Sequence, residues 1–107
     1  MAYIIVFMTA STKEEAVKII CALLEERLIA CANIIDHVSS LFWWQEKIEE
    51  EKEVLAIMKS HESLFKKLSK RLTELHSYEV PEILALPIVN GLPSYLDWMK
   101  GYLEPVK

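Results

Sequence analysis

His76 is the residue of this 107-residue chain with the most chemistry around it. It closes a stretch with helical spacing and is followed at once by Ser77, Tyr78 and Glu79. A helix C-terminus favours the imidazolium form through its dipole, whereas a neutral imidazole is a common metal ligand. Two readings therefore stand side by side, a ligand and a helix-capping histidine. Glu49, Glu51 and Glu53 form the second group. Alternate residues of a strand share a face and lie about 7 Å apart. Three carboxylates so placed can hold a hard cation weakly. The other reading is a solvated arm, or one that meets Lys and Arg of a neighbour. Cys21 and Cys31 are ten apart with no second pair, so no disulfide framework is expected. Both thiols read as small hydrophobes in a reducing compartment. His37 and His61 read as ordinary surface or strand-end residues. No Ser/His/Asp set, phosphate-cradling glycine loop or paired catalytic carboxylates can be assembled, and a non-catalytic protein is the expectation.

The element that must position these groups is a long hairpin from Ile29 to Lys59. Ala30, Ala32, Ile34, Val38 and Phe42 alternate on one side, with Cys31, Ile35, Leu41 and Trp43 on the other. Period-two patterning of this kind predicts a strand with two distinct faces. The turn falls at Trp44-Gln45-Glu46-Lys47, and the return strand carries Ile48 and Val54 to Met58. Each arm would be about 40 Å long. A flanking helix of about 15 residues covers only some 22 Å. One chain cannot cover both faces of such a hairpin, and a tip bearing Phe42, Trp43 and Trp44 needs another chain to bury against.

Around the hairpin, Tyr3 to Met8 is a continuous apolar run, as for a strand covered on both faces. A helix follows, opened by Ser11/Glu14 or Thr12/Glu15 as a capping box, with an apolar stripe of Ala16, Ile20, Leu23, Leu24 and Leu28. Ser60 can cap a second helix whose stripe is Leu64, Phe65, Leu68, Leu72 and Leu75. Pro81 ends any continuation of that helix beyond the connecting loop. Glu82 to Ile88 reads as a fourth strand with Pro87 at an edge. A final helix from about Ser94 is expected to bury Tyr95, Trp98, Met99 and Tyr102. The order is strand, helix, strand, strand, helix, strand and an extra helix. That predicts one domain over residues 1–107 of α+β class, a ferredoxin-like split βαβ sandwich with a long hairpin and a C-terminal helix. Its second sheet face has no helices of its own, and a second copy is the expected cover.

Composition narrows the partners. Twelve basic against sixteen acidic residues, with no basic block, make nucleic acid an unexpected partner. The apolar N-terminal run lacks a charged n-region and is far shorter than a membrane span. No membrane partner and a cytoplasmic location are the expectations.

Several stretches together resemble the CutA family of divalent-cation tolerance proteins. They are Leu28-Ile29-Ala30-Cys31-Ala32-Asn33, the Trp43-Trp44 pair, Lys52-Glu53, Lys59-Ser60, the loop from His76 through Tyr78 to Pro81, and Tyr95-Leu96 with Trp98. The resemblance implies a ferredoxin-like fold, a compact homotrimer and tolerance to copper and other divalent metals. It also implies similarity in architecture to PII-type signalling trimers. Two positions depart from the family pattern, which has glycine where Glu46 stands and proline where Ser77 stands. Metal ligation proposed in the family uses a soft residue at the end of the first strand and a His-His pair in the loop. Those places hold Met8, Leu75 and His76 here, so Met8 and His76 are the implied ligands for Cu(II) or another divalent cation. A thioether suits Cu(I) better than Cu(II). A second reading is a PII-like sensor that binds a small anion or metabolite in clefts between subunits, through Asn33, Lys59, Tyr78 and Pro81. A third is a purely structural or interaction trimer. No organic cofactor is implied by any of them.

Overall fold

A computed structural model describes residues 2–105 of the chain. The elements run β1 (Tyr3–Ala10), α1 (Lys13–Glu25), β2 (Cys31–Trp44), β3 (Lys47–His61), a 3-10 turn at Glu62–Leu64, α2 (Phe65–Leu75), β4 (Leu84–Pro87) and α3 (Pro93–Tyr102). The four strands form one sheet in the order β2-β3-β1-β4, with every pairing antiparallel. β1 and β2, joined through α1, straddle β3, which is the arrangement that a split βαβ unit dictates.

Ile4, Val6, Met8 and Ala10 of β1 are buried, and so are Val54, Ala56 and Met58 of β3. They form one core with Ala16, Ile19, Ile20 and Leu23 of α1 and Leu68 and Leu72 of α2. The residues between them, Ile5, Phe7, Leu55 and Ile57, are only half-buried. β1 was expected to be covered on both faces, and a single copy covers one.

Thr12 decides between the two capping boxes: its hydroxyl accepts from the Glu15 amide at 3.1 Å. On α1, Ile19 faces the core in place of Leu24, which is exposed. Ser60 does not cap α2. It is buried in β3, where its hydroxyl donates to the Leu28 carbonyl at 2.6 Å. His61, the last residue of β3 and so the strand-end residue expected, caps the 3-10 turn that precedes α2, accepting the Ser63 amide on Nδ1 at 3.1 Å, and it is buried rather than at the surface. α3 buries Met99 alone; with Leu103, Leu64 and Ala30 it makes a small second core. Tyr95, Trp98 and Tyr102, expected inside, are exposed and stack along the helix at centroid spacings of 5.5 Å. β4 is shorter than expected, and Pro87 ends it at the sheet edge.

A bulge in β2 changes the hairpin's faces. Ile35 pairs with Leu55 and Val38 with Glu53, so Asp36 and His37 together oppose Val54. His37 adopts a φ of 62°, and the Asp36 carboxylate accepts its amide at 2.9 Å. One extra residue inverts the alternation beyond it. Val38 and Phe42 therefore join the side of Cys31 and Ile35, while Leu41 and Trp43 pass to the side of Ala32 and Ile34. At the tip, Trp44 pairs with Lys47 across Gln45 and Glu46, whose φ values are 49° and 65°. Two central residues with positive φ define the type I′ turn that suits the strand twist. No helix among the described residues is long and apolar enough to cross a membrane.

Candidate functional site

The loop that leaves α2 is tied down at the C-terminal end of β1. His76 is the helix cap, its side chain fully buried, and its backbone amide donates to the Leu72 carbonyl at 3.0 Å. Nε2 lies 2.8 Å from the Thr9 carbonyl, and a carbonyl can only accept, so Nε2 carries the proton. That leaves the lone pair on Nδ1, which accepts the Tyr78 amide at 3.0 Å. Both nitrogens are thus committed inside the chain. Met8 is fully buried on the helix-covered face of β1, in the core. In a single copy both implied ligands are thus inward-facing, His76 with its two ring nitrogens hydrogen-bonded and Met8 within the hydrophobic core. Among the described residues, no three His, Cys, Asp or Glu side chains are placed to hold a metal ion.

What the loop does provide is a polar clasp. The Ser77 amide donates to Glu15 Oε2 at 2.8 Å, and Ser11 donates to the other oxygen at 3.3 Å. Burial pushes the Glu15 carboxyl up, but the bonds from Ser77 and Ser11 outweigh it and hold the group below the usual carboxylate range. A proline at position 77 would have no amide to give, so the departure from the family pattern is used here. Tyr78 reaches Glu53, donating to Oε2 at 2.7 Å. Burial, followed by this bond and the charge of Glu53, pushes the Tyr78 phenol well above its ordinary range. Glu53 is only 9% exposed, unlike Glu51 further out on the same strand face. The row of three carboxylates is therefore broken: its inner member is a structural acceptor. Pro81 follows in the same loop, half-buried.

A second polar group lies at the opposite end of the sheet. Lys59, at the inner end of β3, pairs across to Cys31 and to Ile5, and its ammonium donates to Asn33 Oδ1. The Cys31 thiol and the Tyr95 hydroxyl are 3.3 Å apart. That hydrogen bond, together with burial, raises the Tyr95 phenol. In one copy, then, the cleft residues expected to act together fall into two sets, Asn33 with Lys59 and Tyr78 with Pro81. Tyr95 joins the first set and Glu53 and Glu15 the second. Neither Tyr95 nor Glu15 was legible as a site residue, and Glu53 was read only as one of a row of carboxylates, because helical spacing placed Tyr95 in the core and nothing in the sequence brings residues 15, 53 and 78 together. The hairpin tip leaves Trp43 and Trp44 73% and 60% exposed.

The sequence matches the family model described as "CutA1 divalent ion tolerance protein" over residues 4–102. The chain belongs to that family. It is 46% identical to the Pyrococcus horikoshii divalent-cation tolerance protein CutA, over 90% of this chain and 93% of that protein. With the Thermus thermophilus protein of the same name the identity is 44%, again over 90% and 93%. The chloroplastic CutA 1 of rice is 38% identical over 92% of this chain, which spans only 55% of that longer protein. The solved Thermus thermophilus structure superposes with a TM-score of 0.93, covering 95% of this chain and 99% of that one at 41% identity. Family members are named for divalent-cation tolerance, and no catalytic role is indicated in those names.

Proposed function

We propose that this CutA protein works as a homotrimer in divalent-cation tolerance, copper-like ions among them, without catalysis and without an organic cofactor. The observation that carries the reading is the bare face of the sheet. Ile5, Phe7, Leu55, Ile57, Leu84 and Leu86 share it, on the side away from the core that α1 and α2 cover, and the hairpin tip adds exposed aromatic side chains at one end. Burying each such side chain fully is worth about 1.5–3 kcal/mol, so a face of this size favours association. Other copies of the same chain are the cover, and each brings the same face and the same tip.

Since His76 and Met8 are committed within one copy, cation contacts come from donors that different copies bring together. Titration calorimetry with Cu(II) and Zn(II) tests this on the assembled protein. His76→Gln is expected to leave the copper affinity within about threefold, a difference of well under 1 kcal/mol. Loss of binding in that variant would restore His76 as a ligand. The cytoplasm is the proposed compartment on the strength of the two unpaired thiols. Related proteins are not confined to one compartment: the rice relative is named as chloroplastic and the Archaeoglobus fulgidus structure is titled periplasmic. Cell fractionation decides the matter for this chain.

A further inference from the structure

Lys59 stands on the sheet face turned away from α1 and α2, at the end that α3 borders through Tyr95, in a row with Cys31, Ile5 and Leu86. The neighbouring row is Asn33, Ile57, Phe7 and Leu84, so the floor around the ammonium is almost wholly apolar. Its one polar partner is a neutral amide oxygen. Among the described residues no carboxylate pairs with it. The acids that share this face of β3 begin at Glu53, six residues away, about 20 Å along a strand.

The group is rich in donors. An ammonium has three N–H bonds and one is used on Asn33, leaving two. The Asn33 amide adds two more. Tyr95 and Cys31 share a single bond, so one O–H or S–H of that pair remains. Donors and a positive charge are thus gathered where the chain supplies no negative charge. Closing this face against other copies strips water from Lys59, and an unpaired ammonium away from water is strongly disfavoured.

We propose that Lys59, Asn33 and Tyr95 form a binding site for a small oxyanion, a carboxylate or a phosphate, on the closed sheet face between copies. Lys59 supplies the charge. The Asn33 amide and the Tyr95 hydroxyl direct the oxygens, and Cys31 positions Tyr95. The site rests on the trimeric reading above, because only closure of the face removes the water that would otherwise solvate Lys59.

The test follows thermal midpoints of the full chain at fixed pH and ionic strength, in chloride, in sodium phosphate and in sodium succinate, with mass measured by light scattering in each buffer. A ligand that binds only the native state raises its midpoint saturably. The wild-type trimer is expected to gain several degrees in phosphate or in succinate. The anion that acts identifies the source, tetrahedral or planar. Lys59→Met is expected to lose the gain while remaining a trimer, and Lys59→Arg to retain part of it. Asn33→Ala is expected to need about tenfold more anion, the equivalent of roughly one hydrogen bond. If Lys59→Met fails to fold, the arginine and alanine variants still decide. A wild-type trimer with equal midpoints in all three buffers overturns the site and leaves the trimer standing, whereas a wild-type monomer overturns both. A gain that survives in both Lys59→Met and Asn33→Ala also overturns the assignment. So does a non-additive stability loss between Lys59→Met and Glu51→Gln, which would put a neighbour's carboxylate on Lys59.

Discussion

The Tyr78 hydroxyl donates to Glu53 Oε2 at 2.7 Å, which fastens the loop after α2 to the return strand of the hairpin. Tyr78→Phe removes the donor and leaves a nearly buried carboxylate short of a partner. A hydrogen bond to a charged group is worth about 1.5–3 kcal/mol, and urea denaturation at fixed chain concentration is expected to show a loss in that range. The phenol also makes an alkaline limb. Its pKa is raised in the folded state, so its contribution is fully present below the ordinary tyrosine value near 10 and is lost as pH rises above it. The wild type should weaken through that region and Tyr78→Phe should weaken less. Identical alkaline limbs would show that the bond does not persist in solution.

Glu15 sets the acid side of the same clasp. Its pKa is lowered on folding, so its contribution is present above the unfolded carboxyl value and is lost as pH falls through the folded one. Glu15→Gln is expected to flatten that part of the stability profile, and Ser77→Pro, which removes the amide donor, to flatten it in part. A profile unchanged in Glu15→Gln would remove the clasp from the account.

Glu46 carries a φ of 65° in the tip turn, where the family pattern has glycine. Left-handed backbone costs a residue with a Cβ about 1–2 kcal/mol. Glycine escapes that cost, although its freer unfolded chain gives part of the gain back. Glu46→Gly should therefore raise the unfolding free energy read from urea denaturation modestly, by about 1 kcal/mol or less per chain. A fall in stability would mean that the Glu46 side chain makes a contact across copies worth more than the turn strain.

The strands, the helices and their order could be read from the sequence because period two and helical spacing are local patterns that a half-covered sheet and its helices enforce. The misreadings have physical reasons of the same kind. The bulge at Asp36 and His37 inverted the outer half of β2, since one extra residue moves every later side chain to the other face. Ser60 sits where a helix cap would, but burial next to the Leu28 carbonyl gave its hydroxyl a better partner, and His61 caps the 3-10 turn that leads into α2. Tyr95, Trp98 and Tyr102 have core spacing yet are exposed, a pattern that cannot distinguish burial within one chain from burial between chains. The candidate sites were legible only as residue types. The contacts that define them join residues 25 to 67 positions apart, and no spacing rule reaches that far.

The central claim is that copies of this chain close over the bare sheet face and the hairpin tip. Light scattering on the purified full chain, diluted through the micromolar range, tests it most directly. The account predicts three times the chain mass across that range. Trp43→Ala is expected to shift dissociation to higher concentration, by about 1.5–3 kcal/mol per copy if the indole is fully buried on assembly. A wild-type protein that scatters as a stable monomer at micromolar concentration would contradict it.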